Sequence, residues 1–410
     1  MAARLTTGPP RASMIEGMCS TEPAVARRPL LFLIADTGGG HRSAARAVGQ
    51  ALDRMYPGRF APVLCDPLGG PGAARLLRWV TGLYGPAVRL APWLWGAAYH
   101  ASDSRPAAGL LRRTLLRAAD RPAADAARAC RPVAIVSFHP LTGPAAVAAR
   151  DHAVPGTPAV TVVTDLARMH AAWLRADADV IVAPSGRPVR GDGAPWVAAG
   201  LPVTRDFWGG PLRRDERAAR RRSLGLSEDR FLVLLAGGGE GTGGIGRRAT
   251  AVLRRFGDVD VVAVCGRNQR LKRRLDRLAA RCGGRLTVTG FTGNMAGWLH
   301  CCDLVVTKAG PGTIAEATCC GAPLVLTSHL PGQERGNAEF VTGAGAGRRA
   351  RGVGRLLAEI DGLRADTERL ATMREASARL GRPGAAAGIA ELIAALAGAG
   401  AAGGGRAGAE

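Results

Sequence analysis

The sequence predicts an α/β protein of two doubly wound, Rossmann-like domains. Three observations predict it. Short apolar runs recur along the chain, each closing on a glycine turn or a polar residue, with helical stretches between them. The opening strand–glycine loop–helix occurs twice, over Leu30–Met55 and again over Phe231–Phe256. Between the two lies Gly200–Pro211 (GLPVTRDFWGGP), whose glycines and prolines mark an interdomain linker. A chain of 410 residues is long for one domain and comfortable for two. The expected division is a disordered tail at 1–28, a first Rossmann-like domain at 29–205, a second at 206–365, C-terminal helices at 366–397 and a flexible Gly/Ala tail at 398–410.

The first domain opens on Leu30–Ala35 (LLFLIA), an unbroken apolar run and so a buried strand. Asp36-Thr-Gly-Gly-Gly-His41 follows, then a helix from about Ser43 to Met55. Glycines at such a loop let the backbone come close to a ligand. The missing Gly-Lys-Ser/Thr ending excludes a Walker loop. His41 sits at the loop–helix junction, where its ring would face the cleft; a lone histidine also serves as a plain structural residue. Phe60–Asp66 is the second strand, and residues 67–125 look least like sheet. Within them Leu76–His100 holds three of the seven tryptophans and two of the three tyrosines, with arginines nearby. That mixture suits a segment lying at a membrane interface, or else a core helix pair broken at Pro86 and Pro92. Arg78, Pro86, Arg89 and Pro92 interrupt this apolar stretch, so no bilayer-spanning segment is expected. Val133–Phe138 closes on His139, Ala159–Thr164 closes on Asp165, and Asp179–Ala183 is the next strand. Ligands of open parallel sheets sit at the carboxyl ends of strands. Asp36, His139 and Asp165 are therefore expected along one rim, with His170 and Trp173 just beyond. A carboxylate and imidazoles there could act as general base, or could simply fix loops.

The second domain follows an Arg-rich helix at Leu212–Leu224 and opens at Phe231–Ala236. Gly237–Gly244 (GGGEGTGG) then leads into a helix at Ile245–Phe256. Gly239-x-Gly241-x-x-Gly244 has dinucleotide spacing, but Val259–Val264 ends in Cys265-Gly-Arg267, without the acidic residue an adenosine ribose needs. That argues against NAD and leaves a cradle of backbone N–H groups for a diphosphate. Leu286–Thr289 precedes the loop Gly290–Met295. Asp303–Thr307 ends a buried strand, Lys308–Gly312 is a tight turn, Thr313–Cys320 a short helix stopped by Gly321, Pro323–Thr327 a further strand, and Ser328–Asn337 a polar loop. A helix start at that position suits phosphate. Glu316 has two readings here: a ligand contact, or the second half of a capping box Thr313-x-x-Glu316. The side chains of Gln333, Glu334 and Asn337 suit a hydroxyl-rich ligand or a solvated loop.

Net charge is +22, yet the only lysines are Lys272 and Lys308. Coding bias also produces an Arg/Ala/Gly-rich chain, so charge alone assigns no partner; its functional reading is an anionic membrane surface or an acidic substrate. The basic residues are not interleaved with aromatics and carry no zinc or ribonucleoprotein signature, which sets nucleic acid aside. The nine cysteines form no Cys-x-x-Cys pair and read as small buried thiols of a reducing compartment; Met1–Arg28 lacks the apolar core of a secretory signal.

Five motifs in order carry a resemblance: DTGGGHRSA at 36–44, VTDL with His170 and Trp173 at 163–173, GGGEGTG at 237–243, VVAVCGRN at 261–268, and KAGPGTIAEA at 308–317 followed by PGQERGN at 331–337. Over roughly residues 30–350 the chain resembles the monogalactosyldiacylglycerol synthase and processive diacylglycerol glucosyltransferase family, related to MurG-type N-acetylglucosaminyltransferases. The resemblance implies a GT-B fold and inverting transfer of a hexose from UDP-galactose or UDP-glucose to diacylglycerol or a similar membrane lipid, with no cofactor and no active-site metal. It implies His41 as base with Asp165 as second candidate, and Gly39, Gly40, His139 and His170 on the acceptor side. On the donor side it implies Gly237, Gly238, Gly239, Gly241 and Thr313 near the diphosphate, Phe291 near the base, Glu316 on the ribose, and Gln333, Glu334 and Asn337 around the sugar. The implied partners are a UDP-sugar, a membrane lipid acceptor and an anionic membrane surface, and the implied location is cytoplasmic, peripheral to the cytoplasmic membrane. The alternatives are a MurG-like transferase acting on a polyprenyl-diphosphate lipid, and a non-catalytic protein binding nucleotide or membrane surface.

Overall fold

The computed structural model describes residues 26–35, 39–70, 72–175, 177–185 and 194–403. Its first lobe runs β1 (Arg28–Leu33), α1 (Gly40–Met55), β2 (Phe60–Cys65), α2 (Arg75–Gly82), α3 (Tyr84–Leu90), α4 (Pro92–Ser102), α5 (Arg105–Thr114), α6 (Asp120–Cys130), β3 (Ala134–Ser137), α7 (Gly143–Ala153), β4 (Ala159–Val162), β5 (Val180–Ala183) and β6 (Trp196–Ala198). These strands form one parallel sheet in the order β2-β1-β3-β4-β5-β6. The second lobe runs α8 (Arg214–Ser223), β7 (Phe231–Ala236), α9 (Ile245–Arg255), β8 (Val259–Val264), α10 (Gln269–Ala279), β9 (Leu286–Thr289), α11 (Met295–Cys301), β10 (Leu304–Lys308), α12 (Pro311–Cys319), β11 (Leu324–Ser328), α13 (Asn337–Gly343), β12 (Gly347–Arg349), α14 (Val353–Ala365) and α15 (Thr367–Leu380). Its sheet is also parallel, in the order β12-β11-β10-β7-β8-β9. A last helix, α16 (Ala385–Gly403), follows.

The apolar runs become strands because both faces of each sheet are covered by helices. Alternation along β1 divides two cores: Leu30, Phe32 and Ile34 pack with α1 and α16, while Leu31, Leu33 and Ala35 pack with α6 and α7. The second sheet does the same, with Leu232 and Leu234 on one face and Val233 and Leu235 against α9 and α14 on the other. Glycine-turn openings are thereby held at the carboxyl ends of β1 and β7.

The structure corrects several expectations. β6 and β12 are short edge strands that the apolar pattern does not reveal, because their residues are mostly half-buried or exposed. β1 begins at Arg28, inside the expected tail, and α16 continues to Gly403 within the expected 398–410 tail. Residues 1–25 and 404–410 of those tails, and Asp36 of the expected rim, lie outside the described residues. The Gly200–Pro211 connection is itself packed: Leu201, Val203 and Phe207 are buried in the second lobe's core, and Trp208 packs against the cores of both lobes. Thr367–Gly398 is long and apolar enough to cross a membrane by length and composition, with mean hydropathy 1.2, which the sequence reading did not anticipate. Helix breaks between Leu380 and Ala385 interrupt it. Ala386, Ile389, Ala390 and Ile393 are fully buried against Ala44, Ala47, Val48 and Ala51 of α1, so the segment serves as a core element tying the second lobe back to the first.

One ionic node anchors α8 to the second sheet. The half-buried Asp303 carboxylate accepts from Arg221 Nη2 at 2.7 Å and from the Leu232 N–H at 2.8 Å, and also pairs with Arg217. Burial pushes this carboxyl up, but the two guanidiniums and the N–H outweigh it and leave it below its usual value. Its stabilising contribution is therefore present at neutral pH and lost as the pH falls through that lowered value. Asp303→Ala leaves buried guanidinium charge unpaired and is expected to cost about 3–5 kcal/mol, read as a lower urea midpoint.

Candidate active site between the two lobes

His41 is the second residue of α1, buried at the carboxyl rim of the first sheet. Its Nδ1 lies 2.8 Å from the Phe138 carbonyl oxygen and 2.8 Å from Thr164 Oγ1. A carbonyl only accepts, so Nδ1 carries the proton and Nε2 keeps its lone pair. Burial lowers the imidazole pKa to about 4, against a smaller upward pull from the Phe138 carbonyl. The ring is therefore neutral throughout the physiological range. His139 packs edge-on against it at 4.3 Å between ring centroids, and accepts the Leu141 N–H on Nδ1 at 3.1 Å. Burial, with His41 and His170 nearby, holds His139 well below its ordinary pKa.

Asp165 follows Thr164 just past the end of β4. One of its oxygens, Oδ2, takes both the Trp173 indole N–H at 2.8 Å and the His170 backbone N–H at 3.2 Å. Desolvation raises its pKa to about 6, partly offset by those two donors. His170 has both ring nitrogens engaged: Nδ1 accepts the Ala172 N–H at 3.1 Å and Nε2 meets Ser102 Oγ at 3.2 Å. Its ring fixes the loop and supports Tyr99, 4.6 Å away.

On the opposite rim, the glycine loop after β7 curls onto the end of β8. The Arg267 N–H donates to the Gly239 carbonyl at 2.8 Å. At Gly241 φ is +60°, and a Cβ there would lie 1.9 Å from the Cys265 carbonyl oxygen, so only glycine fits. The glycines at 237 and 241 thus shape the loop by packing against protein backbone. Phe291 is 67 % exposed, with the Arg267 guanidinium 4.8 Å from its ring centroid.

α12 starts at Pro311 with Gly310 as its N-cap. Thr313 is consequently the third helical residue, and the capping-box reading of Thr313 and Glu316 fails: the cap position is three residues earlier than the motif needs. The Glu316 carboxylate is half-buried, has no hydrogen-bond partner among the described residues, and is pushed by burial alone to about 7. A carboxylate so placed is available to an incoming donor group.

The 329–337 loop is where the lobes meet. Asn337, buried, donates from Nδ2 to the Ala309 carbonyl at 2.9 Å and accepts on Oδ1 the Ala167 N–H of the first lobe at 3.2 Å. Glu334 pairs with Lys308 and accepts the Leu330 N–H at 2.7 Å, so both its oxygens are engaged. Gln333 Oε1 accepts from the Tyr84 hydroxyl at 3.4 Å. Burial raises the Tyr84 phenol to about 12, aided by the carboxylates of Glu334, Asp165 and Glu240, which places groups of both lobes around one hydroxyl. α4 packs on the same loop so closely that a Cβ at Gly96 would lie 2.6 Å from Pro331 Cβ, and one at Gly332, where φ is +83°, 2.6 Å from the Tyr99 ring.

The structure therefore brings His41, His139, Thr164 and Asp165 to one rim, and Tyr84 links that rim to the 329–337 loop. Gly39 and Gly40 stand beside His41 with open space where side chains would be. The sequence reading gave no site role to Thr164, Tyr84, Tyr99 or Lys308, although each lies in a stretch it marked: VTDL, the aromatic-rich Leu76–His100, and KAGPGTIAEA. Among the described residues no His, Cys, Asp or Glu cluster converges as metal ligands.

Residues 232–392 match the glycosyltransferase family 28 C-terminal domain. Among curated relatives, the rice (Oryza sativa subsp. indica) protein named Probable monogalactosyldiacylglycerol synthase 2, chloroplastic, is 33 % identical over 344 residues, covering 80 % of this chain and 72 % of that one. The chain belongs to the monogalactosyldiacylglycerol synthase family. Monogalactosyldiacylglycerol synthase 2 of Arabidopsis thaliana is 29 % identical over 337 residues, covering 78 % of this chain and 70 % of the relative. In fold the chain is similar to MurG of Acinetobacter baumannii, at TM-score 0.59 and 16 % identity over 90 % of this chain and 99 % of that one. The fold is GT-B, and this member of the monogalactosyldiacylglycerol synthase family is a glycosyltransferase.

Gly332→Ala forces a left-handed residue against an aromatic ring. It is expected to cost about 1–3 kcal/mol and to increase protease cutting within 329–337, read by limited digestion.

Proposed function

We propose that the enzyme transfers a hexose from a UDP-sugar to a hydroxyl of diacylglycerol or a similar membrane lipid, with inversion at the anomeric carbon. The observation that carries this reading is the neutral, clamped His41, whose Nε2 lone pair is left for an acceptor proton. The names of the family relatives support the lipid and the hexose.

In this mechanism the acceptor oxygen bonds to the anomeric carbon as the bond from that carbon to the diphosphate oxygen breaks. The acceptor proton passes to His41 Nε2, and UDP leaves. An imidazole with pKa about 4 is a weak base, so the proton moves late, after the oxygen has been acidified by bonding to a cationic sugar. The N–H groups of the 237–241 loop and the starts of α9 and α12 face negative charge growing on the diphosphate. Glu316 takes the ribose hydroxyls. Asp165, already holding Trp173 and the 165–170 turn, keeps the His41 side of the cleft in shape.

The membrane would dock on α2–α4. Leu90 is 85 %, Trp93 72 % and Trp79 65 % exposed, and Arg75 and Arg78 stand exposed on the same helices. Exposed tryptophans beside arginines suit the headgroup region of an anionic bilayer, which supports a peripheral location on the cytoplasmic membrane.

His41→Ala is expected to lower turnover about 10²–10⁴-fold with little change in donor affinity; unchanged turnover in a lipid-product assay removes it as base. That assay, run with UDP-galactose, UDP-glucose and UDP-N-acetylglucosamine against diacylglycerol and polyprenyl-diphosphate lipids, decides donor and acceptor. UDP affinity, measured by calorimetry, should strengthen as the pH rises through about 7, where Glu316 loses its proton and accepts from both ribose hydroxyls. Glu316→Gln should flatten that dependence.

A further inference from the structure

Arg248 is the fourth residue of α9 and is only 9 % exposed. It stands at the positive end of a helix dipole, beside Arg247, where a second cation is unfavourable. No carboxylate pairs with it among the described residues, and its Nε is buried without any hydrogen-bond partner. Every other buried arginine described so far is paired: Arg221, at 5 % exposure, holds Asp303 and three backbone carbonyls. A desolvated guanidinium with nothing opposite it is costly, and burial lowers its pKa accordingly.

Its surroundings say what would compensate it. Arg248 lines a narrow pocket with Gly243, Thr307, Lys308 and Thr327. That cavity lies at the carboxyl ends of β7, β10 and β11, where an open parallel sheet binds its ligand. The Thr307 hydroxyl in it is likewise buried without a partner. Nη1 comes within 3.3 Å of where a Gly244 Cβ would be and 3.7 Å of a Gly243 Cβ, so the guanidinium lies directly against the turn that begins α9. Lys308 is neutralised by Glu334, which leaves Arg248 as the uncompensated cation of this cavity.

We propose that Arg248 is an anion ligand of the donor site, its guanidinium receiving a phosphate oxygen of the nucleoside diphosphate beneath the Gly243–Gly244 turn, with the Thr307 hydroxyl as a second donor. The proposal rests on the UDP-sugar reading given above and adds a residue to it. Arg248 would then draw the leaving diphosphate's charge toward the protein as the anomeric bond breaks, so its loss affects both donor binding and turnover.

The test compares wild type with Arg248→Met and Arg248→Lys, measuring thermal unfolding with and without UDP and UDP affinity by calorimetry. Without nucleotide, Arg248→Met should unfold at the wild-type temperature or higher, because an uncompensated buried charge has been removed. With UDP, its rise in Tm should largely vanish and its affinity should fall about 10- to 100-fold, as expected for loss of a charge-assisted hydrogen bond; Arg248→Lys should lie between. A Met variant that unfolds earlier yet keeps the full UDP-induced rise shows a structural arginine and overturns the proposal. Should the Met variant not fold, an undiminished UDP-induced rise in the Lys variant overturns it. A wild type that shows no rise with UDP overturns the donor reading itself and this proposal with it, whereas a wild-type rise retained by both variants overturns only the role of Arg248.

Discussion

A buried amide spans the cleft at the seam where the lobes meet. Asn337 begins α13 and spans from the Ala309 carbonyl on its own lobe to the Ala167 N–H on the other. Ala309 follows β10 in the turn that introduces α12, and Ala167 lies two residues past Asp165, so the amide fixes the distance between the two rims. The buried Ala309 carbonyl could not be left unpaired without cost. The same seam seats α4 on Pro331 and Gly332 with no room for added side chains. The helices that carry exposed Trp79 and Trp93 are therefore mechanically continuous with the loop that carries Gln333 and Glu334.

Electrostatically, the cleft at rest is biased toward neutrality. Burial alone pushes Glu316 to about 7, burial raises Asp165 to about 6 against its own donors, and burial lowers His41 to about 4. All three shifts share a cause: water is withheld from groups that have few charged partners. Such an environment strengthens whatever fixed dipoles it contains, because a peptide N–H aimed at developing charge is poorly screened there. The departures from neutrality are Lys308, held by Glu334, and Arg248, held by nothing described.

The sequence was most legible where one physical demand dominates. Strands buried on both faces must be continuous apolar runs, so β1, β3, β4, β5, β7, β8, β10 and β11 could be placed to within a residue or two. Edge strands escape that demand: Trp196–Ala198 and Gly347–Arg349 are short and partly solvated, and nothing in their composition separates them from loops. The start of α12 was misplaced because Pro311 reads as a turn residue, although its fixed φ and missing N–H suit the first turn of a helix equally well. That displacement removed the cap explanation for Glu316. His170 and Asn337 were recognisable as site-region residues, but nothing in sequence spacing shows that their polar atoms are already committed within the protein.

By itself the sequence determined two parallel α/β lobes, their order, the glycine turns at the head of each and the family's run of motifs, because hydrophobic periodicity and glycine chemistry are local properties. Only the tertiary structure decided which nitrogen of His41 is free, that Glu316 is unpaired, and that Asn337 spans the lobes. It alone revealed Arg248 as a buried cation without a counter-charge among the described residues. These depend on which backbone carbonyls and carboxylates from distant parts of the chain come within about 3 Å of a side chain, a distance that hydrogen bonding requires and that no spacing in a sequence encodes.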